Sequence, residues 1–344
     1  MRRSSGFLCL IILFFSLTLI INTNKILSTS NLERKYTWVS AIAPDKGCWP
    51  DCTEGQWCWS KSCEHHGEWP MTIVPLVASD NQLWMVGQRA TWFSSDGIRW
   101  TKRSSNASWG ERYSMARVFF DNRVWMMGGM QKSWDNFKND VWYSADGTNW
   151  KLATARAEWS PRRWHTVLVF DGKMWVLGGA ESSGRADQTP RHFLSDVWSS
   201  TDGIHWSRIT STAPWTGELN SVVFNDKMWV IGNGGAWWSR DGKNWTQATA
   251  NATWLDRGGN RGAGCVVFDG RIWVFGGINE KGMLNDVWSS SDGANWQQAT
   301  VHAPWKPRGT ASSVVFDNKL WIYGGKTGRD EWFAGDVWQM ARTQ

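Results

Sequence analysis

FDGKMWVLGG at 170–179, a variable stretch, and then DVWSSTDGIHW at 196–206 make the clearest copy of a phrase that returns six times along the chain. Aligned on the tryptophan of the first half, the copies put Trp84, Trp125, Trp175, Trp229, Trp273 and Trp321 in one column. A second column holds Trp92, Trp142, Trp198, Trp237, Trp288 and Trp338, and a third Trp100, Trp150, Trp206, Trp245 and Trp296. The spacing is about 45 to 50 residues, with no helical period between copies. A unit of that size cannot bury an apolar face alone, so the copies stack radially as small antiparallel sheets. The sequence therefore predicts an all-β fold, a six-bladed β-propeller.

The third column is one copy short. The last unit stops after Trp338 without a fourth strand, whereas Tyr36-Thr-Trp38-Val-Ser-Ala near the other end reads as the orphaned copy. An N-terminal strand over residues 36 to 42 is thus expected to close the ring, as the outer strand of the blade whose other three strands lie within 310–342. Sharing a blade between the chain ends removes a free sheet edge.

The rhythm VVFDGRIWVFGG (266–277), DVW (286–288), NW (295–296) resembles the kelch repeat, whose four-stranded blade ends its second strand on a glycine pair. The resemblance covers roughly residues 36 to 344. It departs in unit four, where Gly234 and Gly235 come late, and in unit one, which has only Gly87. The phrase Ser144-Ala-Asp146-Gly147-Thr-Asn-Trp150 also resembles the Asp-box of sialidase-type propellers, one residue short between Asp and Gly. A mechanical role suffices for it, because Asp-Gly supplies a tight turn tolerant of positive φ.

Residues 1–30 have a basic start (Arg2, Arg3), an apolar run from Phe7 to Ile21 and a polar follow-on, the layout of a signal peptide or a retained signal-anchor. The propeller over 31–344 is then expected to be secreted, or membrane-anchored with the propeller outside the cytoplasm. Sequons at Asn106, Asn244 and Asn251 are glycosylation candidates in a eukaryotic host. Cys48, Cys52, Cys58 and Cys63 mark a small knob, residues 45–70, between the closing strand and unit one. In an exported chain they read as two disulfides with three pairings open. A metal site with His65 and His66 is the rival, but the spacing lacks a C-x(2)-C knuckle. Cys265 reads as a small hydrophobe. No metal or cofactor is expected.

Loop length separates two faces. First-to-second and third-to-fourth turns are tight, as at Asp171 and Asp202, while second-to-third connections (129–139, 180–195, 326–335) and blade crossings are long. Binding groups collect on variable loops of a rigid scaffold, so the long-loop face is the expected working face. A fourth tryptophan column, Trp69, Trp109, Trp159, Trp215, Trp254 and Trp305, precedes each first strand. Residues repeated in every blade pack blades together. The unrepeated tryptophans are Trp49, Trp57, Trp59, Trp134, Trp164, Trp238 and Trp332, and all but Trp238 fall near the long-loop face. Trp134, Trp164 and Trp332 are candidate ligand contacts.

The formal charge is +6, modest for a chain of 344 residues and partly owed to the leader, so nucleic acid is not an expected partner. Arg112, Arg162, Arg163, Arg261 and Arg308 stand where the chain enters the innermost strands, and Arg185, Arg191 and His192 belong to the long loop of unit three. With His165 they would form an anion-preferring funnel, arginine forks suiting carboxylates and sulfates. The alternative is neutralisation by Glu111, Glu158, Asp187, Glu218 and Asp256. Catalytic groupings are sparse: Tyr113 is the one tyrosine on the mouth side, His165, His192 and His302 lie on separate loops, and no G-x-S-x-G, H-E-x-x-H or phosphate loop occurs. Two functions stay open: a module binding an extracellular glycan or protein, or a carbohydrate-active enzyme on an acidic sugar. The second, suggested by the sialic acid mutarotases of the kelch family, would use His165, Arg162 and Glu158 or Glu218.

Overall fold

A computed structural model of the chain describes residues 36–42, 76–79, 81–105, 107–131, 136–181, 192–232, 235–250, 252, 262–279, 281–328, 334 and 336–342. The leader, the cysteine knob, Arg185, Arg191, Arg261, Trp134, Trp332, Asn106 and Asn251 lie outside the described residues.

Six four-stranded antiparallel sheets form the blades. Blade one is Leu76–Ala78, Leu83–Val86, Thr91–Ser94 and Thr101–Ser104, inner strand to outer; blade two is Ala116–Phe120, Arg123–Met127, Val141–Ser144 and Lys151–Thr154. Blade three is Thr166–Phe170, Lys173–Glu181, His192–Ser200 and Ser207–Thr210; blade four is Leu219–Val223, Met228–Gly232, Gly235–Ser239 and Thr246–Thr249. Blade five is Gly264–Phe268, Arg271–Phe275, Val287–Ser290 and Gln297–Thr300. In blade six the inner strands Ser312–Phe316, Lys319–Tyr323 and Val337–Arg342 are completed by Tyr36–Ile42, so the expected closing strand is in place. Each inner strand touches the inner strand of the next blade, and that of blade six touches blade one, which closes a ring around a central channel. The ring unit spans Trp38–Met340; the described ends of the other unit, 36–37 and 341–342, are strand termini.

Burial explains the tryptophan columns. Second strands are apolar on both faces, as in Met174-Trp175-Val176-Leu177, because each blade is packed on both sides. The clusters straddle blades: Leu83, Met85, Trp92 and Trp100 of blade one meet Val314, Phe316, Trp321 and Tyr323 of blade six. The tight turns are a second inter-blade tie. In blade two Ser144 Oγ accepts the Asp146 and Gly147 N–H groups, and Asp146 Oδ1 accepts those of Thr148 and Asn149. Gly147, at φ +70°, lies so close to the Trp84 ring of the preceding blade that a Cβ there would fall 2.3 Å from it. Gly97, Gly203, Gly242 and Gly293 sit likewise on Trp321, Trp125, Trp175 and Trp229. Only glycine satisfies both the turn and the contact.

Candidate functional site

On the opposite face the blades differ. In blade three the second and third strands run on past the sheet as a ribbon paired out to Glu181 and His192. Blade five adds a small hairpin, Ile278–Asn279 with Gly282–Met283. In blade two the 128–140 loop is braced by bridges from Met130 to Tyr113 and Phe137. Blades one and four are low: four residues join Val86 to Thr91, and two join Gly232 to Gly235. The long-loop expectation thus holds for blades two, three and six and does not extend to every blade.

Three of the arginines expected to face a ligand are structural. Arg112, Arg162 and Arg308 are at most 1% exposed. Arg162 donates two hydrogen bonds to Asp196, at 2.6 and 2.8 Å, and one to the Gly178 carbonyl at 2.9 Å. Arg112 does the same to Asp140 (2.6 and 2.9 Å) and Gly128, and Arg308 to Asp336 (2.5 and 2.6 Å) and Gly324. The glycine follows the apolar core of the second strand and the aspartate precedes the Val-Trp of the third, so each fork ties together the base of one long second-to-third excursion. The backbone of the same residue holds the preceding blade: the Arg162 carbonyl accepts the Gly129 N–H at 2.8 Å, and that of Arg308 the Gly277 N–H at 2.9 Å. Trp142, Trp198 and Trp338 donate to the same aspartates. Burial raises the Asp196 pKa, but the hydrogen bonds and charge of Arg162 outweigh it and hold the carboxyl below its ordinary value. The partners are Asp140, Asp196 and Asp336, none of the acids expected to neutralise the arginines.

A signal for these pairs is in the sequence. Trp-x-x-Arg occurs at 109–112, 159–162, 254–257 and 305–308, and Asp-Val-Trp at 140–142, 196–198, 286–288 and 336–338. The same four units carry both. Before the inner strands of units one and four the pattern is missing, with Thr72 and Glu218 for the arginine, and Ala90 and Gly235 stand for the aspartate. These are the two blades with short loops.

The segment after Arg162 is different. Arg163 stacks its guanidinium 3.8 Å from the Trp164 ring and 4.8 Å from that of Phe137, with a donor 3.0 Å from Met130 Sδ. Trp164 is half-buried and sits at φ +57°. The corresponding residue two before the inner strand is Ser114, Gly217, Gly262 or Thr310, all at positive φ, so a bulky aromatic occupies a backbone position that costs about 1–2 kcal/mol. Its N–H reaches the Ser114 carbonyl of the neighbouring crossing at 3.3 Å.

His165 is 6% exposed, beside Trp159 with ring centroids 5.7 Å apart. Burial, then the Arg162 charge, depress its pKa to about 3, against smaller opposing effects of Asp196 and the Met127 carbonyl. It is a neutral imidazole, unable to donate a proton as an acid at neutral pH. Glu158 accepts the Trp206 N–H at 3.0 Å instead of converging on it. His192 pairs with Glu181 at 2.6 Å in an exposed ribbon, and His302 lies 3.2 Å from Asn285 Oδ1. Of the expected grouping of His165, Arg162 and Glu158 or Glu218, His165 and Arg162 lie together beside Trp159, while Glu158 is engaged with Trp206. The mouth holds another one: Glu111 accepts hydrogen bonds from Tyr113 Oη and from Arg89. Burial, then the Glu111 bond and charge, raise the Tyr113 pKa to about 12. On the tight-turn face Asn244 is exposed, its amide donating to Asp241 at 2.8 Å.

No protein-family model matches the chain, and no curated protein does. Among solved structures 477 chains are similar. One, described as "Structure of YjhT", superposes with a TM-score of 0.64 over 78% of this chain and 94% of its own, at 16% identity. The fold is a six-bladed β-propeller. At that identity the likeness concerns fold alone, and a propeller serves binding modules and enzymes alike.

Proposed function

We propose that this chain is an exported, kelch-like propeller that binds an extracellular glycan or protein, anionic in character, through its long-loop face. The observation that carries the reading is the Arg163–Trp164 stack, an aromatic–cation pair that no other crossing repeats among the described residues, held in a costly backbone conformation beside Phe137. A large aromatic at a left-handed backbone position that the other described crossings fill with Ser114, Gly217, Gly262 or Thr310 points to a role beyond packing. An indole backed by a guanidinium suits both sugar stacking and a protein interface. Trp134, Trp332, Arg185, Arg191 and Arg261 belong to loops of the same face by sequence. A glycan array probed with the chain lacking residues 1–30 tests this, with Trp164→Gly as the contrast. Loss of captured ligands in Trp164→Gly supports the reading; unchanged capture refutes it.

A second reading rests on Tyr113, Glu111 and Arg89. A tyrosine whose phenol is kept protonated becomes a nucleophile when the bonded carboxylate takes its proton during attack, and an adjacent arginine suits an acidic sugar. Turnover of an acidic glycoside, abolished by Tyr113→Phe, would favour the enzyme. Binding without turnover favours the module.

A further inference from the structure

The central channel contains an arginine that none of the loop ties uses. Arg117 is the second residue of the inner strand of blade two, one step in from the long-loop mouth, paired across its hairpin with Met126. Register places Leu76, Val167, Ser221, Cys265 and Ser313 at the same level of the other five inner strands. All six are half-buried, although they belong to the innermost strands, so their remaining exposure is toward the channel. Ser221 Oγ is 2.5 Å from Thr166 Oγ1 of the preceding blade, one residue nearer the mouth than Val167, which puts paired hydroxyls beside this level.

Arg117 differs from Arg112, Arg162 and Arg308 in its partners. One Nη donates to the Met115 carbonyl at 2.7 Å, and Nε has no partner among the described residues. No salt bridge to a described carboxylate is formed, and burial alone lowers the pKa to about 9, leaving the group charged at neutral pH. A half-buried cation with no carboxylate partner among the described residues has donors left for an anion delivered through the channel.

We propose that the head of the channel is a carboxylate-binding site in which Arg117 supplies the cation. A planar fork with donors to spare selects a carboxylate over a neutral hydroxyl ligand, and the channel admits it from the long-loop mouth. The site is separate from the rim around Trp164, and its test does not depend on that reading.

Thermal melting of the chain lacking residues 1–30 is measured with sodium acetate, sodium glucuronate or glucose, against sodium chloride at equal ionic strength. Wild type is expected to gain about 2 °C or more with glucuronate, and none with glucose. Acetate acting as well as glucuronate identifies the bare carboxylate as the recognised group; glucuronate alone identifies a sugar acid. Arg117→Met should lose the response and, without anion, melt no lower than wild type, which a merely structural arginine would not allow. Trp164→Gly should keep the response. Indifference of wild type to both anions overturns the proposal, as does a full response in Arg117→Met. If Arg117→Met does not fold, an undiminished response in Arg117→Lys, which keeps the charge without the fork, overturns it equally.

Discussion

The two faces of the ring are made of the same strands yet obey different rules. On the tight-turn face Ser-x-Asp-Gly recurs five times with the same bonds, and each glycine rests on the tryptophan of the blade before it. On the long-loop face the second-to-third connections vary widely in length, from two residues in blade four to thirteen in blades two and six, and the tie at their base, arginine to aspartate, appears where a long loop must be held and is missing from the two low blades. Repetition marks what holds blades together. Departure from repetition, as at Trp164, marks where the molecule differs from its own scaffold.

The comparison breaks most visibly if the repeated contacts prove dispensable. Trp125→Ala, which removes a 2% exposed ring from the cluster between blades two and three, should cost roughly 3–5 kcal/mol in denaturant unfolding. A loss under 1 kcal/mol would mean the columns do not carry the inter-blade core. Next comes the loop tie. Asp196→Ala leaves Arg162 buried without its counter-charge and should cost about 3 kcal/mol, while Arg162→Met with Asp196→Leu together should recover most of it. The pattern in unit five predicts that Arg257→Met behaves like Arg162→Met. Equal cost for the single and double changes would show that the pair is not coupled.

The smallest effect is with pH. In Asp146, Asp241 and Asp292 burial raises the pKa, but backbone and asparagine donors outweigh it and hold each at about 2, below the ordinary 3.8. The folded value is depressed, so this stabilisation is complete above about pH 4 and is lost as pH falls through about 2. Blade three has His205 in place of asparagine, its pKa raised by the hydrogen bond and charge of Asp202. That contribution has the opposite sign, present in acid and lost as pH rises past the ordinary histidine value. Melting temperatures across pH 2 to 8 for Asp146→Asn and His205→Asn test both slopes.

Much of this was legible in the sequence. Tryptophan columns, Asp-Gly turns and the missing sixth copy after Trp338 led to blade number and to the closing strand Tyr36–Ile42, because a repeat exposes its own alignment. The mouth was less legible. Arg112, Arg162 and Arg308 share a loop position, but whether a guanidinium turns inward depends on an aspartate 28 or 34 residues away that becomes its neighbour only when the second and third strands pair. The co-occurrence of Trp-x-x-Arg with Asp-Val-Trp in the same units carried that information. His165 seemed a proton donor until burial beside Arg162 fixed it as neutral. Arg117 sits in a strand pattern that reads as apolar around it, and only the ring brings it to the channel.

The most direct measurement sets Trp164→Gly beside Gly203→Ala, scoring melting temperature and glycan-array capture for both. In Trp164→Gly, relief of about 1 kcal/mol of backbone strain roughly offsets the lost stacking, so stability should hold while capture falls. In Gly203→Ala, where φ is +73° and the new Cβ would lie 2.2 Å from Trp125, the melting temperature should drop by several degrees while surviving folded protein captures as wild type does. The reverse pattern, capture lost with Gly203→Ala and kept with Trp164→Gly, would contradict the division of the ring into a mechanical face and a binding face.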